Sequence, residues 1–128
     1  MSVRVWRLDR PAVLDRLKAW ASSLAGHGAI AVVLFGSLAR GDQTAASDAD
    51  VLVILEESSL PFRDRISAFS PSRLGLSVDV FPYTLEEARS AWRQGSGVVP
   101  IALREGLFLA GERNRLLAML GAPRPADT

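Results

Sequence analysis

Seven consecutive apolar residues, Ala29–Phe35 (AIAVVLF), stop abruptly on Gly36. The run is too short for a typical buried helix and rich in strand formers, so it predicts a central β-strand covered on both faces. A second run, Val51–Leu55 (VLVIL), closed by Glu56 and Glu57, predicts another such strand. Ahead of them, Val13, Leu14, Leu17, Trp20, Ala21 and Leu24 recur at three- and four-residue steps behind an Asp9/Pro11 start signal. That pattern is an amphipathic helix, ended by Gly26 and Gly28. Val3–Leu8 reads as a short strand or an extended arm.

Beyond the second strand, Asp42–Ser47 having served as a loop, Pro61–Phe69 predicts a helix and Ser70-Pro71 a turn. Leu76–Phe81 (LSVDVF) alternates as a strand, with Asp79 in its middle. Thr84 and Glu87 have the spacing of a capping box that opens a helix to about Gln94. Gly95–Gly97 is a flexible joint, Pro100–Glu105 a short helical turn, Leu107–Leu109 a strand and Glu112–Leu120 a last helix. This alternation predicts an α/β (α+β) fold, one sheet with helices packed against it. Residues 1–121 form the domain and 122–128 a disordered tail.

Composition narrows the chemistry. There is no cysteine and one histidine, His27, so neither a thiolate site nor an imidazole-built zinc site is available. A bound metal must take oxygen ligands, which points to magnesium, manganese or calcium. A net charge of +1 argues against an extensive nucleic-acid surface. No apolar run approaches the roughly 20 residues needed to cross a bilayer, and no signal core is present, so a soluble cytoplasmic protein is expected. Other polar and aromatic residues read as structural. His27 caps helix carbonyls; Trp6, Trp20 and Trp92 are core or interface anchors. Arg113 and Arg115 form a solvated helix face, as Glu56 and Glu57 form a solvated strand end.

Three features carry chemistry. Gly36-Ser37 ends a buried strand where a glycine lets the backbone approach a phosphate and a serine can donate to it, although a plain turn has the same sequence. It is no P-loop, because Asp42-Gln43 stands where Lys-Ser/Thr is required. Asp48 and Asp50, two apart at a strand start, aim two carboxylates to one side, where they repel unless a cation lies between them; a solvated strand end is the plainer reading. Asp79 is a carboxylate in an apolar strand, paired or metal-bound if buried, or simply on an exposed face.

Taken in order, Gly-Ser, Asp-x-Asp and a later Asp resemble the DNA polymerase β-like nucleotidyltransferase superfamily, and within it the minimal nucleotidyltransferases. Phe35–Val53 (FGSLARGDQTAASDADVLV) carries most of the resemblance, with Ser77–Phe81 for the third carboxylate and Leu103–Leu109 (LREGLFL) for the closing segment. The resemblance implies that fold, with a mixed sheet, and a set of roles. Gly36 and Ser37 would hold the triphosphate of ATP, with Arg40 a further phosphate contact. Asp48, Asp50 and Asp79 would be the catalytic carboxylates and the ligands of two Mg2+ ions, with Mn2+ a substitute. The chain departs from many relatives at Leu38, where they carry a basic or polar residue.

The same resemblance implies an acceptor supplied from outside. Small members of the family pair with a helical HEPN toxin and act as antitoxins, transferring AMP from ATP to a tyrosine of the toxin. A HEPN partner, and a homo- or hetero-oligomer, are therefore expected. An aminoglycoside-type adenylyltransferase completed by dimerisation is one alternative. A non-catalytic antitoxin binding module is the other.

Overall fold

The computed structural model describes residues 9–42, 48–72 and 74–121. The expected N-terminal arm, most of the Asp42–Ser47 loop, Trp6 and the tail lie outside these. Within them, helix α1 (Arg10–Ser23) is capped by Asp9, whose carboxylate accepts from the Ala12 amide at 3.2 Å. A 3-10 turn, Leu24–His27, follows it, with His27 Nδ1 lying 3.4 Å from the Ser23 carbonyl.

The strands are β1 (Ala29–Phe35), β2 (Ala49–Leu55), β3 (Val78–Thr84) and β4 (Leu107–Ala110). They form a mixed sheet in the order β3-β2-β1-β4, with β1 antiparallel to both neighbours and β2 parallel to β3. Between the strands lie α2 (Ser37–Arg40), α3 (Phe62–Phe69), α4 (Leu85–Gln94) and α5 (Val98–Glu105), and α6 (Arg113–Leu120) comes last. The α+β expectation holds. Both central strands are buried on both sides, as their unbroken apolar runs demand.

Period-two alternation sorts the core into two layers. Val32, Leu34, Val51, Val53 and Val80 pack with Val13, Leu17 and Ala21 of α1 and with Leu38. Ala31, Val33, Phe35, Leu52 and Ile54 pack with Ala88, Val99, Ala102, Leu103 and Leu116 on the opposite face. Trp20 and Trp92, both half-buried, pack one on each layer.

The later elements depart from the sequence expectation in instructive ways. β3 begins at Val78 and runs through Pro82 to Thr84, so Asp79 is its second residue rather than its middle. Proline is tolerated there because β3 is an edge strand and has a neighbour on one side only. The turn expected at Pro100 is a full helix from Val98, since a proline in the first helical turn removes no needed donor. Arg113 is not merely solvated: its Nη2 donates to the Gly106 carbonyl at 3.0 Å, and its guanidinium lies 5.2 Å from the Phe108 ring centre.

An ion pair built on a buried arginine fastens the β2–α3–β3 crossover. Thr84 and Glu87 form the expected capping box at the start of α4. The Glu87 carboxylate also accepts from both terminal nitrogens of Arg65, at 2.7 and 2.9 Å, while Arg65 donates to the Leu60 and Pro82 carbonyls at 2.8 Å each. Arg65 is 5% exposed. Its hydrogen bonds hold the Glu87 carboxyl below the usual carboxylate range, although the half-exposed position of Glu87 lets solvent damp the effect.

Arg65→Met should cost about 2–4 kcal/mol in urea unfolding, because it strips the buried Pro82 carbonyl and a capping carboxylate of their donor. A carboxyl whose folded pKa is depressed contributes stability that is complete above its unfolded value, about 4.3, and lost as pH falls through the folded one. The wild type should therefore lose stability more steeply below pH 4.3 than the Met variant.

Candidate active site

Phe35, the last residue of β1, pairs with Asp50 on β2, and Asp50 pairs in turn with Asp79 on β3. The register thus sets the end of the central strand beside two carboxylates on neighbouring parallel strands. Alternation puts Asp50 in line with Leu52 and Ile54, and Asp79 in line with Phe81 and Tyr83. Their floor is aromatic: Phe35 and Phe81 meet with ring centres 5.6 Å apart. Asp48 immediately precedes β2 and is exposed, as is Asp79, whereas Asp50 is half-buried. The Ala49 amide donates to the Ser77 carbonyl at 2.9 Å, so the chain around Asp48 is tied to the start of β3.

Gly36 makes the connection possible. Its φ of 83° and ψ of −161° lie in a region that only glycine occupies readily. A Cβ built there would come 2.6 Å from Asp50 Oδ2, so the backbone at Gly36 lies directly against that carboxylate. The Asp50 carboxyl is pushed up from its ordinary value, first by burial and then by the charges of Asp79 and Asp48. The three carboxylates therefore share one electrostatic neighbourhood. Among the described residues no three His, Cys, Asp or Glu side chains are gathered as a ready metal shell. What the site offers is a set of hard oxygen donors whose mutual repulsion a divalent cation would relieve.

A one-turn helix cannot hold itself together, so α2 is fixed by its surroundings. Leu38 is fully buried between α1 and the sheet, a burial that contributes roughly 2 kcal/mol. Arg10 of α1 donates to the Leu38 and Ala39 carbonyls at 3.0 and 3.1 Å. Ser37 begins this helix and Arg40 ends it. The Arg40 guanidinium meets Asp42 at 3.3 Å and Glu105, at the end of α5, at 3.0 Å; both raise its pKa, Asp42 more. Gly36, Asp50 and Asp79 thus lie together at one end of the sheet, with Asp48 just before β2; Ser37 follows Gly36, and Arg40 ends α2 against Glu105 of α5. Arg10 and Glu105 escaped sequence reasoning. They act across 28 and 65 residues, a separation that leaves no local pattern.

The sequence matches the family profile described as a nucleotidyltransferase domain over residues 14–107, well over half of the chain. No curated protein matches it. Among solved structures, it is similar to a chain described as "Crystal structure of the toxin-antitoxin with AMP-PNP", with 18% identity and a TM-score of 0.47, over 88% of this chain and 82% of that one. A likeness that distant carries no functional argument. No helix among the described residues is long and apolar enough to cross a membrane.

Two substitutions test this geometry. Gly36→Ala should cost about 1–3 kcal/mol in backbone strain, measured by urea unfolding, and displace the Asp50 carboxylate as well. Asp50→Asn should raise the thermal midpoint at neutral pH in the presence of a chelator. An acid whose folded pKa is raised destabilises the fold once ionised, and asparagine removes that charge. A lower midpoint would contradict the mutual repulsion.

Proposed function

The chain belongs to the nucleotidyltransferase domain family and is an enzyme of that class, and from this premise we propose that it transfers AMP from ATP to a hydroxyl acceptor at the Asp50/Asp79 end of its sheet. The observation that carries the reading is the register Phe35–Asp50–Asp79, with the Gly36 backbone laid against the Asp50 carboxylate. It brings a close-approach glycine and two carboxylates from separate strands to one place.

In this reading Gly36 admits the phosphates close to the main chain, the Ser37 hydroxyl donates to their oxygens, and Arg40 offsets their charge. Asp48, Asp50 and Asp79 would hold two magnesium ions, whose charge would offset that of the phosphates in an in-line displacement. Asp79, exposed at the rim, faces the acceptor and helps take the proton from its hydroxyl. The acceptor oxygen bonds to the α-phosphorus, the bond to the β-phosphate oxygen breaks, and pyrophosphate leaves. The protein contributes position and charge complementarity.

For the acceptor, we propose a tyrosine of a HEPN-type partner, the antitoxin role that the Gly-Ser/Asp-x-Asp resemblance implies. The exposure of Asp48 and Asp79 supports an acceptor delivered by another macromolecule, because small-molecule sites bury most of their ligand.

With α-labelled ATP and magnesium, label should appear on a tyrosine of a HEPN partner encoded beside this chain. Asp48→Asn with Asp50→Asn should lower that rate at least about a thousandfold. Magnesium should raise the thermal midpoint of the wild type and not of the double variant. Label on an added aminoglycoside instead would move the acceptor to small molecules. Neutralisation of the partner by the double variant, with no labelling by the wild type, would leave a binding module.

A further inference from the structure

We propose that Glu105 is a positioning residue for nucleotide binding, holding the Arg40 guanidinium at the phosphate end of the site. The proposal rests on the reading of Arg40 as a phosphate contact.

Arg40 lies three residues after Ser37 on α2, a spacing that puts both side chains on one helix face. Left to itself, its long side chain would sample open solvent. Asp42 restrains it only locally, since it is two residues away and moves with the same turn. Glu105 is different: it meets Arg40 Nη1 at 3.0 Å from 65 residues away.

The position of Glu105 is set independently of α2. At the next residue, Gly106, a Cβ would lie 2.2 Å from the Ala102 carbonyl oxygen, 2.4 Å from Val33 Cγ1 and 3.0 Å from the Leu34 carbonyl oxygen. The end of α5 is therefore pressed onto β1, two residues before Gly36. Arg113 also donates to the Gly106 carbonyl at 3.0 Å. Glu105 and Gly36 are thus referenced to the same strand end, and so is the guanidinium that Glu105 holds.

Stability is a poor reason for this contact. The side chains are 48% and 40% exposed, and ion pairs between exposed groups contribute little to folding. Orientation is the better one. A guanidinium has five N–H donors, more than two carboxylate contacts use, so it can keep Glu105 and still present donors to a phosphate. Ordering it in advance reduces the entropy lost when the ligand arrives.

The test is calorimetric titration of the intact chain with a non-hydrolysable ATP analogue and magnesium. Glu105→Ala should weaken binding about three- to tenfold, the range expected for ordering one long side chain. Its thermal midpoint should hardly move, since alanine is a good helix former at that exposed position. Arg40→Gln should weaken binding at least as much, and adding Glu105→Ala to it should have no further effect, because the second residue acts through the first. Unchanged or tighter binding by Glu105→Ala, or additive effects in the double variant, would overturn the proposal. If Arg40→Gln binds like wild type, the assignment of Arg40 fails. If the wild type does not bind the analogue, the nucleotide reading itself fails.

Discussion

The contact between the Gly36 backbone and the Asp50 carboxylate organises this protein. It exists because β1 runs antiparallel to β2 in a register that ends on Phe35 opposite Asp50, and because the next residue can turn with a positive φ. Parallel pairing then carries the arrangement one strand further, to Asp79. Three strands are linked at one end of the sheet, and the acidic residues concentrated there are held near one another against their repulsion. Burial and the neighbouring charges of Asp79 and Asp48 together push the Asp50 carboxyl up from its ordinary value.

The site-bearing turn borrows its rigidity from elsewhere. α2 has too few residues to be stable alone, and it is anchored by Leu38 below and by Arg10 behind. Leu38 stands where the resemblance leads one to expect a basic or polar residue. Its burial makes it an apolar peg between α1 and the sheet.

At the opposite end of the sheet, Arg65 and Glu87 secure the crossover that makes β3 parallel to β2. The crossover brings Asp79 beside Asp50, and its clamp sits at the end of β3 away from the carboxylates. The capping box of Thr84 and Glu87 was legible from a three-residue spacing. Arg65 was not, because Pro82 and Glu87 lie 17 and 22 residues away and an arginine in an exposed-looking helix carries no signal of burial.

Local order in the chain determined the two buried strands, the helices that flank them, and the glycine, serine and aspartates of the proposed site. Unbroken apolar runs and capping spacings are short-range patterns, so they survive in a bare sequence. The readings went astray where a neighbour decided: Pro82 could stay in β3 because that strand is an edge, and Arg113 left solvent because Gly106 and Phe108 were beside it. Tertiary structure alone decided that Asp79 pairs with Asp50, that Glu105 meets Arg40, and that Asp50 is held partly out of water. Those are matters of register and close approach between distant segments, set by packing of the whole core rather than by any segment's own preference.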